Sequence, residues 1–67
     1  MSAAVSKAER AAEKARERYQ HYAACLLEVR AAGGDDWEAS TLAAHAKGLL
    51  VRAESRLFAA KAREEAR

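Results

Sequence analysis

His21, Cys25 and His45 are the residues of this chain whose types could hold a metal ion. His21 and Cys25 stand one helical turn apart, and a hairpin could bring His45 to the same flank, giving three soft donors of the kind zinc accepts. The spacing does not demand that meeting, and zinc sites usually show four converging ligands or a recognised motif. The expectation is therefore two surface histidines, a small half-buried cysteine and no metal. Six cations form a second constellation. Helical positions place Lys7, Lys14, Arg18, Arg52, Arg56 and Arg63 on one flank of such a hairpin, a stripe of one sign that suits phosphates or an acidic protein surface. Against this, 12 Lys and Arg nearly balance 10 Asp and Glu, and no aromatic side chains interleave with the bases as single-strand binders need. A solvated face is the favoured reading of that flank. No glycine-rich phosphate loop, HExxH helix or serine elbow occurs, and two thin helices enclose no substrate pocket. The expectation is a non-enzymatic chain with no catalytic residue and no cofactor.

The elements that must position these side chains follow from composition. The 67 residues include no proline, three glycines and 19 alanines, and one third are charged. That mixture favours helix nearly throughout, since alanine loses no side-chain entropy in a helix and proline would break it. Ser6-Lys7-Ala8-Glu9 fits a capping box, which starts a first helix near residue 6. Gly33 can take the left-handed conformation that closes it. Asp35 to Glu38 offers a second capping box with Asp35 as N-cap, and its acids suit the positive end of the new helix dipole. The expected chain is one all-α antiparallel helical hairpin over 1–67, coiled-coil-like, with helices at about 6–32 and 36–65 around a turn at 33–35. The longest apolar run, Tyr22 to Leu27, is far short of the ~20 residues that cross a bilayer. Nothing resembles a signal peptide, the lone Cys25 has no intramolecular disulfide partner, and the expected location is the cytoplasm.

Periodicity assigns the faces. Val5, Ala8, Ala12, Ala15, Tyr19, Tyr22, Leu26 and Val29 alternate steps of three and four without a miss, the mark of one helical stripe. Ala39, Ala43, Ala46, Leu50, Ala53, Leu57 and Ala60 answer it on the second helix. Folding at Gly34 sets Leu26 against Ala43 and Tyr19 against Leu50, so large residues mostly face small ones. A seam so rich in alanine leaves a hairpin of this size marginal, because chains below ~70 to 80 residues rarely gain more than 3–5 kcal/mol from one core. The second helix carries a further unbroken stripe: Trp37, Thr41, Ala44, Gly48, Val51, Ser55, Phe58 and Ala62, rotated about 150 to 180 degrees from the seam. With Leu27 at the tip, these are the expected protein-binding residues. A helix apolar on two opposite sides has two partners. The second is a second copy in a homodimeric four-helix bundle, an unidentified protein, or both. Trp37 is then either a hot spot of that contact or a residue covering the turn.

The stretch Ala23 to Trp37, AACLLEVRAAGGDDW, is similar to the helix end, short turn and following aromatic of the small subunit of type III secretion needle chaperones, hairpins of this size that dock on a helical-repeat partner. The length and plan also resemble the Rop family of plasmid RNA-binding hairpins, which dimerise into four-helix bundles, although no residue here matches that family's RNA-contacting face. The Trp at the turn is similar to the WxG secreted hairpins, but Trp37-Glu38-Ala39 lacks their glycine. These resemblances imply a small co-chaperone, or an inhibitor or regulator, that docks helix faces on a protein partner. The second reading is a Rop-like dimer that binds RNA or DNA through the basic flank.

Overall fold

The computed structural model describes residues 3–66, so the outermost residues of the expected 1–67 span lie outside it. It consists of α1, Ala3–Ala31, and α2, Trp37–Glu65, packed against each other as a hairpin. Each helix has 29 residues, about 44 Å at 1.5 Å per residue, and the molecule measures 53 × 14 × 12 Å. Both expected starts need correction. α1 begins at Ala3, with Ser6 already inside it; the alanines ahead of Ser6 propagate helix as readily as those behind it, so no cap is required there. α2 begins at Trp37, and its N-cap is Asp36 rather than Asp35, with no side-chain capping hydrogen bond from that residue. Asp35 still serves the helix end, because its Oδ1 accepts a 3.1 Å hydrogen bond from the Trp37 amide.

The turn closes as its glycines require. Gly33 has φ of +74°, the only positive φ among the described residues. Its amide donates to the Arg30 carbonyl and that of Gly34 to the Val29 carbonyl, both at 3.1 Å. These paired bonds satisfy carbonyls that the end of α1 would otherwise leave open. Arg30 then reaches across the turn, its Nε donating at 2.8 Å to Oδ2 of Asp36. This ion pair was not anticipated from the sequence.

Burial follows the seam. Val5, Ala12, Ala43 and Ala46 are the buried apolar residues, Ala12 to 1% exposure. Every other position of the two expected seam stripes is half-buried. The core is therefore a narrow strip of alanines edged by Tyr19, Tyr22, Leu26, Leu50 and Leu57, and no large side chain is fully enclosed. Small seam residues let two helix backbones approach closely, but they remove little apolar area from water, so the stabilisation per turn is small.

Candidate functional face

On the side of α2 away from the seam, all eight positions of the second stripe, Trp37 through Ala62, are exposed. Trp37 is 73%, Val51 55% and Phe58 77% exposed. Fully burying such side chains is worth about 1.5–3 kcal/mol each, so leaving three of them in water along one line forgoes stabilisation comparable to that of the seam. Val51, Ser55 and Phe58 with Glu54 border a shallow depression of about 470 Å³ on this face. Two further details mark this face. The Thr41 hydroxyl donates at 2.8 Å to the Trp37 carbonyl one turn back, so its proton is already satisfied. Gly48 sits mid-helix at ordinary backbone angles, and a Cβ built there meets nothing within 4 Å. The hairpin itself gives no steric reason for a glycine that costs α2 about 1 kcal/mol relative to alanine. Leu27, 66% exposed, lies on α1 near the turn, at the same end of the molecule as Trp37 but on the other helix.

The basic flank is partly assembled along one edge of the seam. Lys7 and Arg56 border one interhelical groove of about 260 Å³ floored by Ala4, Ala8, Ala11 and Ala53. Lys14 and Arg18 border the next, about 290 Å³, floored by Ala11, Ala15, Ala46 and Leu49. Across both grooves α1 faces α2 positions numbered about seven lower than folding at Gly34 predicts, Lys7 lying beside Arg56 and Ala15 beside Ala46 and Leu49, so the helices are offset by about two turns from the register read from the seam. Arg52 and Arg63 are exposed on α2. None of the six cations makes an ion pair among the described residues; the pair there is Arg30 with Asp36. Glu17 does stand beside Lys14 and Arg18 on the outer surface of α1, so the flank is not of a single sign throughout.

His21 Nε2 and Cys25 Sγ lie 3.8 Å apart, and the His21 ring meets Tyr22 edge-on with centroids 5.5 Å apart. Among the described residues no three His, Cys, Asp or Glu side chains converge to hold a metal ion, so His45 does not complete a triad with them. No described helix is long and apolar enough to cross a membrane. No protein family, curated protein or solved structure matches this chain.

Proposed function

We propose that this hairpin is a non-enzymatic protein-binding module that docks the outer face of α2 on a helical partner, as a small cytoplasmic co-chaperone or as an inhibitor or regulator of that partner. The observation that carries the reading is the continuous exposed stripe holding Trp37, Val51 and Phe58, opposite a seam that already occupies the other side of the same helix. Self-association into a four-helix assembly belongs to this reading, since the same face serves a second copy. The test is to place a charge on the stripe. Val51→Glu and Phe58→Glu should keep the helicity of the wild type by circular dichroism while association falls sharply, because an unpaired charge in an apolar contact costs several kcal/mol. The association should also persist at high salt. Charged variants that associate normally would remove the stripe from the function.

The second reading, a dimer that binds RNA or DNA, is favoured by the two pairs Lys7 with Arg56 and Lys14 with Arg18 on one edge. Phosphate binding of that kind loses affinity steeply with salt.

A further inference from the structure

We propose that the occupant of the outer face is a second copy of this chain, with α2 lying antiparallel on α2 about a two-fold axis level with the stretch between Gly48 and Val51. This rests on the docking reading and names its partner. The stripe is complementary to itself in that direction. In an antiparallel pair, alternate positions of one stripe face the opposite set of the other. Trp37 then meets Ala62 of the second copy, Thr41 meets Phe58, Ala44 meets Ser55, and Gly48 meets Val51. Each bulky residue faces a small one, and the two-fold repeats every level. Thr41 enters opposite Phe58 with its hydroxyl proton already given to the Trp37 carbonyl, so no donor is stranded there. Gly48 lets the Val51 side chain approach the backbone, which supplies the reason for glycine that the single hairpin lacks. In a parallel pair each residue would meet its own copy. Gly48 would face Gly48 across a gap, and the bulky Trp37 and Phe58 would each crowd themselves.

Charge selects the same direction. Lys47 and Glu54 are exposed beside the stripe on the same side, seven residues apart, and neither makes an ion pair among the described residues. Antiparallel pairing sets Lys47 of each copy beside Glu54 of the other, twice by symmetry, whereas parallel pairing sets Lys47 beside Arg52. On the opposite side His45 falls beside Arg52, which adds no attraction. Stripe and seam lie about 150 degrees apart on α2, so the four helices form an open row, α1 and α2 followed by α2 and α1 of the second copy, in place of a closed square bundle.

The test is a charge exchange read by sedimentation equilibrium on the full chain, with helicity followed in parallel. Lys47→Glu and Glu54→Lys should each weaken dimerisation about tenfold, since each turns two attractions into two repulsions. The double variant should return to within about threefold of wild type. As a check of direction in a Cys25→Ser background, Ala44→Cys combined with Ser55→Cys should oxidise to a covalent dimer, and either single cysteine should not. Single cysteines that cross-link would establish parallel pairing and overturn the proposal. So would a double charge variant no better than the singles. A wild-type chain that stays monomeric, yet binds another helical protein in a way that Val51→Glu abolishes, overturns self-pairing and leaves the docking reading standing.

Discussion

Gly48→Ala separates what the hairpin needs from what its outer face needs, because the two predict opposite signs. Within one chain the substitution can only help. Gly48 has no positive φ and nothing within 4 Å of the added methyl, and alanine in a helix interior is favoured over glycine by about 1 kcal/mol. For a chain of this size that gain corresponds to a rise of about 4–8 °C in Tm. In the antiparallel dimer the methyl enters the level where Gly48 faces Val51, and it enters twice. Overpacking costs roughly 1–3 kcal/mol per site, so even the low end gives about 2 kcal/mol per dimer, some thirtyfold in Kd. The helix-propensity gain is present before and after association and cancels from that figure. Thermal melts by circular dichroism below the dissociation constant read the first effect, and sedimentation equilibrium at rising concentration reads the second. An alanine variant that melts higher and dimerises as tightly as wild type would refute close approach at Gly48, and with it the reason given for the glycine.

Other perturbations bear on separate parts of the molecule. Leu57→Glu, on the seam one residue before Phe58, should unfold the chain, seen as loss of helicity, whereas Phe58→Glu should not; equal helicity in both would mean that the seam has been assigned to the wrong face. Gly33→Ala forces a φ of +74° on a residue with a side chain and should destabilise the hairpin by about 1 kcal/mol by chemical denaturation, while Gly48→Ala stabilises it. Trp37→Ala should weaken association by roughly 1 to 4 kcal/mol by titration if the side chain anchors the contact, and leave it unchanged if Trp37 only covers the turn. Reversing both Arg18 and Arg56 to glutamate should leave helicity and protein association nearly intact, since exposed charges contribute less than ~1 kcal/mol each; abrupt loss of association accompanied by steep salt dependence would favour the polyanion reading.

What the sequence made legible was periodic. Every position picked out by the three-four spacing from Val5 to Val29 and from Ala39 to Ala60 is buried or half-buried, because helical period and burial share one geometric cause. The same spacing picked out the exposed stripe. Gly33 was legible for a different reason, since few other residues tolerate its backbone angle. Local polar chemistry was harder to read. Ser6 with Glu9 matches a capping box, yet alanine-rich residues on both sides carry the helix through it. Asp35 and Asp36 are adjacent and chemically alike, and the capping-box pattern pointed to Asp35 where the structure has Asp36 as the N-cap. The Arg30–Asp36 contact depends on how the turn aims two side chains, which spacing does not encode. The side-by-side grooves of Lys7 with Arg56 and Lys14 with Arg18 lay between these cases. Wheel positions gave the flank, and the packing of the two helices gave the apolar floor between the cations.

The direction of pairing also bears on the basic flank. In two antiparallel helices that face each other, rotation of the same sense about each axis leads to the same side of the pair, so a two-fold axis through α2 and its copy keeps corresponding flanks together. Lys7, Lys14, Arg18, Arg52, Arg56 and Arg63 of one hairpin then share a face of the open row with the same six residues of the other. The opposite face carries Lys47 alternating with Glu54. In such a dimer the net charge of only +2 per chain would be divided into one face richer in cations, with Glu17 at its margin, and one mixed face. If the hairpins pair in this way, polyanion binding to that face would require the dimer, whereas dimerisation would not require the cations. A change on the stripe, such as Val51→Glu, removes the paired face along with the dimer, whereas Arg18→Glu with Arg56→Glu alters that face and leaves the dimer in place.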